Sequence, residues 1–390
     1  MITDQATSLT VSGATLSGSY SGVSATVREV GFQWGTASDP SGWNDEDILQ
    51  SDSDVLGARA SGSFTADLDG LGDGRTYYYR AYIAVQDGND IRYYYGAVRS
   101  FKTLVQGDKP GTQAGWFELP VMDAKKSGDY LVSSSDANLY YAYHLCAGGE
   151  KGPSGKTARN YTVAYSGKYH CPVWVAAPRH SMYTGGSGRT ERYGADPDIP
   201  ASIQYKSKST GGGCNKGHML GSAERTSSKA TNAQVFHYSN IAPQLSAGFN
   251  TGGGGWNTLE DWVDGQVCSD TLYVVIGTYF QKFTDGYGNT VSPQTISFGG
   301  RSDVAMPTMF YYRLIRTKSG SSGKALKNCT ADEIQCAAFV RAHTNDLKGQ
   351  AVTSREMMSV AALEALTGFT YFPNVPNAPK TVCNPSDWGL

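Results

Sequence analysis

The sequence predicts two domains, an all-β antiparallel sandwich over residues 1–104 and an α+β domain over residues 116–390. The first part consists of short strand-like segments separated by turns, whereas the second has strands in its middle and helix-like segments towards its end. Between them, residues 105–115 are rich in glycine and polar side chains, which is typical of a linker. Apolar residues make up 39% of the chain and charged residues 17%, as expected for folded domains with a core.

Five segments of the first domain have the character of strands: TLSGSYSG, VREVGFQWG, GSFTADLDGL, TYYYRAYIAV and RYYYGAVRSF. In the fourth, Tyr77, Tyr79, Ala81, Ile83 and Val85 share one parity, so we expect this face to point into the core. The DG and GDG turns indicate antiparallel pairing. The run LDGLGDGRTYYYRAY resembles the fibronectin type III-like modules of bacterial surface proteins, which implies that this domain binds a surface protein or a glycan.

The second domain begins with an alternating strand pair, ARNYTVAYSGKYHCPVWVAAPRH, and further strands are predicted at TLYVVIGTYF and MPTMFYYRLIR. Three helices are predicted, at WNTLEDWVDGQV, ADEIQCAAFVRAH and SREMMSVAALEALTG. This order of elements predicts an α+β domain.

The net charge of −2 is unevenly distributed, with −6 on residues 1–105 and +4 on residues 106–390. A mildly basic second part is compatible with a polyanionic ligand and equally with an ordinary surface. Because no run of 18 apolar residues occurs, we expect no membrane span. The first residues, MITDQATSLT, lack the basic and apolar regions of a signal peptide, so none is expected there.

All seven cysteines lie in the second domain, and none forms a CxxC pair, which disfavours a zinc site built of cysteines. In an oxidising compartment one or more disulfides are expected, and the odd number leaves at least one thiol unpaired. Cys329 and Cys336 are close enough in sequence to close a short loop, although the helix predicted at ADEIQCAAFVRAH disfavours that bond.

The residues most indicative of chemistry lie between positions 214 and 260, in CNKGHMLGSAER, HYSNIAPQ and FNTGGGGWNTLEDW. His218 alone would be interpreted as structural. It is followed, however, by Asn240, Asn250 and Glu260, and no hydrophobic core requires this combination. A neutral base, an amide oxygen and a carboxylate are what phosphodiester hydrolysis with one metal ion requires.

These segments resemble the DNA/RNA non-specific endonuclease family of the ββα-metal fold, whose pattern is a DRGH turn, SNIxPQ, and FNxGxW followed by an LE helix. The similarity also includes WVA at residues 174–176, VAMPTMFYYRLIR, and VTSREMMSVAALEALTGFTYFPNVP. It implies a ββα-metal domain over residues 116–390, with a central antiparallel sheet and flanking helices. It also implies a secreted, periplasmic or cell-surface bacterial protein.

The resemblance implies a role for each site residue. His218 would be the general base, and Asn250 would bind one Mg²⁺, with Mn²⁺ as a substitute. Glu260 would orient water around the metal, and Asn240 would brace the site. Arg192 matches the arginine of the family that stabilises the phosphoryl oxygens.

Arg189 is close enough in sequence to take the place of Arg192, and with Lys216 and Arg225 it is predicted to contact nucleic acid. No direct reading of base sequence is implied.

Two departures from the family pattern stand out. Asn215-Lys216 replaces Asp-Arg before the histidine, so one charge and one guanidinium are lost. Asn250 and Trp256 are six residues apart instead of four. We expect the glycines at 252–255 to form a loop that absorbs the two extra residues. If they do not, Asn257 is the alternative metal ligand.

Other motifs are weaker. GGEKGPSGKT at 148–157 approximates a phosphate-binding loop, but Glu150 stands where its first glycine belongs, so a surface loop is predicted. Neither HExxH nor GxSxG occurs, which argues against zincin proteases and α/β-hydrolases. We expect structural roles for the remaining histidines, with His237 as the one that could lie near the site.

The sequence thus predicts a metal-dependent, sugar-non-specific endonuclease that hydrolyses DNA and RNA. One alternative is a catalytically impaired, nuclease-like surface binding protein whose sandwich engages glycan or protein. Another is a phosphodiesterase on the same fold that acts on small diesters.

Overall fold

A computed structural model describes residues 1–7, 9, 13–43, 48–50, 56–69, 71, 75–103, 115–152, 155–250 and 252–390. The chain falls into two compact units, Met1–Asp108 and Lys109–Leu390. The linker predicted at residues 105–115 lies outside the described residues, apart from Gly115.

The first unit is built from two antiparallel sheets. Its strands are β1 (Ile2–Thr3), β2 (Ala14–Ser21), β3 (Thr26–Gly35), β4 (Ile48–Gln50), β5 (Ser61–Leu68), β6 (Thr76–Asp87), β7 (Asp90–Tyr95) and β8 (Arg99–Lys102). One sheet has the order β1-β2-β5, and the other has the order β4-β3-β6-β7 with β8 also paired to β6. The five β6 residues from Tyr77 to Val85 predicted to face the core are buried. The fibronectin type III-like assignment stays a prediction.

The second unit is organised around a nine-stranded antiparallel sheet. Its strands are β9 (Ala124–Ser127), β10 (Tyr130–Ser133), β11 (Leu139–Leu145), β12 (Arg159–Ser166), β13 (Cys171–Arg179), β14 (Cys214–His218), β15 (Ile241–Leu245), β16 (Leu272–Tyr279), β17 (Phe283–Thr284), β18 (Thr290–Val291), β19 (Gln294–Phe298), β20 (Arg301–Met306), β21 (Met309–Thr317), β22 (Ile334–Ala342) and β23 (Met357–Met358). The order in the large sheet is β23-β22-β21-β16-β13-β12-β11-β10-β9. β14–β15, β17–β18 and β19–β20 form separate hairpins.

The helices of this unit are short. The α-helices are α1 (Lys229–Gln234), α2 (Gly255–Asp264) and α3 (Val360–Thr367). Segments of 3₁₀-helix lie at Ser181–Tyr183, Ala201–Ile203, Ser222–Arg225, Tyr238–Asn240, Leu326–Asn328, Ala331–Glu333, Asn345–Leu347, Ser354–Glu356 and Pro385–Trp388, and one lies at Pro40–Gly42 in the first unit. Among the described helices, none is both long enough and apolar enough to cross a membrane.

Both faces of the large sheet are covered, and alternate side chains of β16 serve the two layers. Val274 and Ile276 pack in one layer with Trp256 of α2 and with Phe249. Val275, on the opposite face, packs in the other layer with the residues around Val360, where α3 begins. The β14–β15 hairpin and α2 therefore lie on one side of the sheet and rest on a buried apolar layer.

The predicted helix at ADEIQCAAFVRAH is wrong. Only Ala331–Glu333 forms a helical turn, with a capping box between Thr330 and Glu333, and the chain then continues as β22. All nine residues of β22 are buried, because the strand pairs with β21 and β23 and both its faces are covered. Such a strand loses the alternation of polar and apolar residues by which it would be recognised.

The other two predicted helices are present but shorter than expected. SREMMSVAALEALTG forms a 3₁₀ turn, β23 and α3, and WNTLEDWVDGQV forms most of α2. The predicted strands ARNYTVAYSGKYHCPVWVAAPRH, TLYVVIGTYF and MPTMFYYRLIR are observed as β12–β13, β16 and β21. All seven cysteines are free thiols, so the disulfide expected for an oxidising compartment is not formed in the structure.

Candidate functional site

A cleft of about 490 Å³ opens where the β14–β15 hairpin meets helix α2. Five of the residues predicted for the site line this one cleft, namely Arg189, Lys216, His218, Asn250 and Glu260. Asn215, Glu224, Gln244, Asn257, Asp261 and Asp264 also line it. The structure therefore brings together residues that are up to 75 positions apart in sequence, from Arg189 to Asp264.

His218 is the last residue of β14 and is paired with Ile241, the first residue of β15. Its ring contacts Phe236, with 4.8 Å between ring centroids, and Tyr193, at 5.8 Å. The Nε2 atom is buried and has no hydrogen-bond partner among the described residues. Burial and the positive charges of Arg189 and Lys216 lower the pKa of His218 to about 3. The imidazole is therefore neutral at pH 7, with a nitrogen free to accept a proton.

Gln244 connects the two sides of the cleft. Its Oε1 accepts a hydrogen bond from the Asn250 side-chain amide, and its Nε2 lies 3.4 Å from the backbone oxygen of His218. The side chain occupies the space beside Gly217, where an added Cβ would lie 2.1 Å from the Gln244 Cδ. Glycine at position 217 is therefore required for this arrangement. Gln244 belongs to the SNIAPQ segment, yet its role was missed because its contacts are visible only in three dimensions.

Asn250 precedes helix α2 and lies outside it, because α2 begins at Gly255. Gly252 and Gly253 have φ of 69° and 76°, a conformation that glycine adopts readily, and the loop they form absorbs the two extra residues. The amide nitrogen of Asn250 is engaged by Gln244, and none of the described residues donates a hydrogen bond to its Oδ1.

Asn257, the alternative ligand, also lines the cleft. Its Oδ1 accepts the backbone N–H of Gly253 at 3.2 Å, and its Nδ2 lies 3.5 Å from Asp261. The oxygen of Asn257 is therefore already used within the loop, which favours Asn250 as the residue that offers an oxygen to the cleft.

Helix α2 is amphipathic, with one apolar face and one polar face. Trp256, Leu259 and Val263 are buried against the sheet, whereas residues 257, 260, 261 and 264 face the cleft. This spacing of three and four residues places each set on one face of a helix. The FNTGGGGWNTLEDW sequence thus aims Glu260 into the cleft through ordinary amphipathic packing.

The floor of the cleft carries several carboxylates around one buried arginine. Arg179 lies 3.3 Å from Glu224 and 2.7 Å from Asp264. Burial, together with the negative charges of Glu224 and Asp264, raises the pKa of Glu260 well above its ordinary value. Arg179 thus neutralises part of the negative charge of Glu224 and Asp264. The sequence-based prediction did not include Glu224, Asp264 or Arg179.

The predicted cationic residues differ in whether they line the cleft. Arg189 lines the cleft, where its Nη2 donates to the Tyr193 hydroxyl at 3.1 Å and it pairs with Glu191. Lys216 also lines it, with Nζ 4.9 Å from the centre of the Tyr193 ring. Arg192 is exposed and is not among the lining residues, so Arg189 is the arginine at the cleft.

The prediction that Arg225 contacts nucleic acid is wrong. The side chain has 0% exposure, and its guanidinium donates to Asn160, to the backbone oxygen of Glu224 and to that of Pro178. It holds the Ser222–Arg225 turn to the neighbouring strands β12 and β13. An arginine in a polar segment can be buried when backbone carbonyls satisfy its donors, which composition alone does not reveal.

Asn240 is fully buried and braces the turn after His218. Its Oδ1 accepts the N–H of Leu220 at 3.0 Å, and its Nδ2 donates to the backbone oxygens of Leu220 and Val235 at 3.0 and 2.7 Å. Its own backbone oxygen accepts the N–H of Met219 at 2.8 Å. Asn240 therefore acts on the position of His218 and does not line the cleft.

The donor atoms in the cleft fit a hard divalent cation. They are an amide oxygen of Asn250 and the carboxylates of Glu260 and Asp261, and oxygen ligands are what Mg²⁺ and Mn²⁺ prefer. Burial and the neighbouring carboxylates raise the pKa of Glu260, and a cation bound in the cleft would favour its ionised form.

The model of the DNA/RNA non-specific endonuclease family matches residues 144–378 of the chain, which is more than half of it. The chain therefore belongs to this family of nucleases, and the resemblance predicted from the sequence is confirmed. The match includes all the cleft residues described above.

Several curated nucleases are similar to the chain. It is 28% identical over 230 residues to the mitochondrial nuclease EXOG of Danio rerio, which covers 57% of this chain and 62% of that protein. It is 26% identical over 241 residues to the human mitochondrial nuclease EXOG, covering 60% and 61%. A nuclease of Nostoc sp. is 27% identical over 245 residues, covering 60% and 81%. The matches thus span about three fifths of the first two relatives.

Proposed function

We propose that the chain is a metal-dependent, sugar-non-specific endonuclease that hydrolyses phosphodiester bonds of DNA and RNA. The observation that carries this proposal is His218, which lines a cleft together with Asn250 and Glu260 and whose buried Nε2 has no hydrogen-bond partner among the described residues. Family membership and the named relatives support a nuclease, and the cleft supports the particular mechanism.

In this mechanism His218 takes a proton from the attacking water. Before substrate binds, the imidazole of His218 has a pKa of about 3, so it is neutral but only weakly basic. The phosphodiester would bring negative charge next to Arg189 and Lys216, the two residues whose charges lower this pKa. Substrate binding is therefore expected to raise the pKa of His218 towards neutrality and strengthen it as a base.

Asn250 would present its Oδ1 to the metal, and Gln244 would hold the amide in the required orientation. When bound, Mg²⁺ supplies positive charge that stabilises the phosphoryl oxygens and the departing 3′ oxygen. Glu260 would accept hydrogen bonds from water in the cleft and so orient it. The family resemblance implies products with 5′-phosphates.

Arg189 and Lys216 would hold the substrate phosphate. Arg189 extends from a loop and shares its guanidinium with Glu191 and Tyr193, so it is positioned before substrate binds. Because these contacts involve the backbone of the nucleic acid, binding should weaken steeply with salt and depend little on base sequence.

The test uses the full chain with supercoiled plasmid and with single-stranded RNA, each with Mg²⁺, with EDTA, and with EDTA followed by excess Mg²⁺. We expect both polymers to be cleaved with Mg²⁺, cleavage to stop with EDTA, and activity to return with added metal. Cleavage that EDTA does not affect would contradict metal dependence.

The same assay separates the alternatives. Binding of DNA without cleavage under every metal condition would favour the catalytically impaired binding protein. Hydrolysis of a small aryl phosphodiester without degradation of either polymer would favour a different phosphodiesterase on this fold. The replacement of Asp-Arg by Asn215-Lys216 is the feature that makes the first of these worth testing.

A further inference from the structure

A second group of potential metal ligands lies outside the cleft. His144 is in β11, Asp196 is in the loop that follows Tyr193, and His237 immediately precedes the Tyr238–Asn240 turn. One donor atom from each lies within 4.8 Å of the other two. None of the three lines the cleft around His218.

The distances suit a small cation. His144 Nε2 is 2.9 Å from Asp196 Oδ2, and His237 Nδ1 is 3.9 Å from the same oxygen. Ligands of a tetrahedral zinc ion with bonds of about 2.0–2.1 Å are about 3.3 Å apart, which lies between these two values. A small movement of the half-buried His237 would bring all three donor atoms into range.

The chemistry of the donors differs from that of the cleft. Two imidazole nitrogens and one carboxylate oxygen suit zinc and similar transition ions, whereas Mg²⁺ prefers oxygen alone. We propose that His144, Asp196 and His237 form a binding site for one Zn²⁺ or a similar borderline cation, separate from the magnesium site of the cleft. Water would complete the coordination.

The surroundings of the cluster prepare these residues for a metal. The Ser239 hydroxyl donates to Asp196 Oδ2, the backbone N–H of Asp198 donates to Oδ1, and Gln204 accepts the N–H of Asp196. Such contacts fix the orientation of a ligating carboxylate.

His144 Nε2 and Asp196 Oδ2 are within hydrogen-bond distance of each other, at 2.9 Å. A cation bound between them would displace the proton of this hydrogen bond.

A cation in this position would hold one wall of the cleft. The segment after Tyr193 pairs with the segment after Phe236, because Gly194 N–H donates to Phe236 O at 3.3 Å and Tyr238 N–H donates to Gly194 O at 2.7 Å. Tyr193 and Phe236 both contact the His218 ring. The proposed site therefore joins β11 to the two segments that enclose the catalytic imidazole.

The test is calorimetric titration of metal-free protein with ZnCl₂, in excess MgCl₂, for the wild type, His237→Ala, and His180→Ala as a histidine control outside the cluster. We expect the wild type and the control to bind one zinc at this site, and His237→Ala to bind it at least about 10-fold more weakly. Equal zinc binding by His237→Ala would overturn the proposal.

Co²⁺ distinguishes the cluster from the free cysteines. Cobalt bound by nitrogen and oxygen lacks the strong near-ultraviolet charge-transfer band of thiolate ligation, so that band in the wild type would contradict the proposed ligand set. If His237→Ala does not fold, as judged by circular dichroism, anomalous diffraction from zinc-soaked wild-type crystals decides. A zinc peak among the three donor atoms supports the site, and its absence overturns it.

Discussion

The cleft and the His144–Asp196–His237 cluster each contain a buried imidazole, yet the pKa values of His218 in the cleft and His144 in the cluster are shifted in opposite directions. Burial, together with the charges of Arg189 and Lys216, lowers the pKa of His218. Although burial opposes it, the charge and the hydrogen bond of Asp196 raise the pKa of His144. The same side chain is thus kept neutral in one region and stabilised as a cation in the other. Burial lowers the pKa of both rings, and a directly hydrogen-bonded carboxylate outweighs it at His144, whereas the charges beside His218 add to it.

Substitution of the cleft histidine is expected to have the largest effect. His218→Ala should lower the rate of plasmid cleavage by roughly 10²–10⁴-fold, because the general base is lost. His180→Ala serves as the control and should retain wild-type cleavage. Undiminished activity of His218→Ala would show that the His218 imidazole is not the general base.

His343 offers a third environment, in which backbone groups alone bind the ring. Its Nε2 accepts the N–H of Leu245 at 2.9 Å and its Nδ1 donates to Pro307 O at 2.8 Å, so only the neutral form satisfies both. Burial lowers the pKa of His343 to about 4. Since this value lies below that of the unfolded chain, its contribution to stability is complete above about pH 6.5 and is lost as the pH falls towards 4.

The expected loss is about 3 kcal/mol of the free energy of unfolding, from about 1.4 kcal/mol per pKa unit. It can be measured by urea unfolding at pH 7 and pH 4 for the wild type and for His343→Gln. The variant should lose less stability than the wild type over this range. An equal loss would show that His343 is not kept neutral by its surroundings.

The two asparagines test the oxygen chemistry of the cleft. Asn250→Ala should raise the Mg²⁺ concentration needed for half-maximal activity by about 10–100-fold, whereas Asn257→Ala should change it less. The measurement is plasmid cleavage across a Mg²⁺ titration. A larger increase in the required Mg²⁺ concentration for Asn257→Ala than for Asn250→Ala would identify Asn257 as the metal ligand. It would also mean that the glycine loop places Asn250 differently.

The smallest effect is expected for the two arginines. Arg189→Ala should lower cleavage by about 10-fold, the typical value of one hydrogen bond to a charged group, and Arg192→Ala should leave it nearly unchanged. Initial rates at low substrate concentration are sufficient for this test. A larger loss of cleavage in Arg192→Ala than in Arg189→Ala would show that Arg192, the arginine that the family pattern suggested, contacts the phosphate.

Local sequence patterns predicted the cleft better than they predicted the sheet. His218, Asn250 and Glu260 lie on a hairpin strand, a loop and a helix that follow one another closely, so their meeting depends on short-range geometry. β22 was mistaken for a helix because burial on both faces removed its alternation. The choice between Arg189 and Arg192 depends on the course of an irregular loop, and no periodicity describes that course.

The second cluster could not be predicted from sequence. His144, Asp196 and His237 come from three distant segments, and only the packing of β11 against the two loops brings them together. His237 was expected near the site because of its position before Asn240. It lies one residue beyond Phe236, which contacts His218, but its own side chain points into the other cluster.

The filled space beside Gly217 restricts which mutations this enzyme can accept. Gln244 fills that space and touches both the strand that ends in His218, the proposed base, and the side chain of Asn250, the proposed metal ligand. A single methyl group at position 217 would therefore disturb both halves of the reaction at once. Mutation can scarcely adjust basicity and ion affinity independently here, since one glutamine side chain sets the spacing between them.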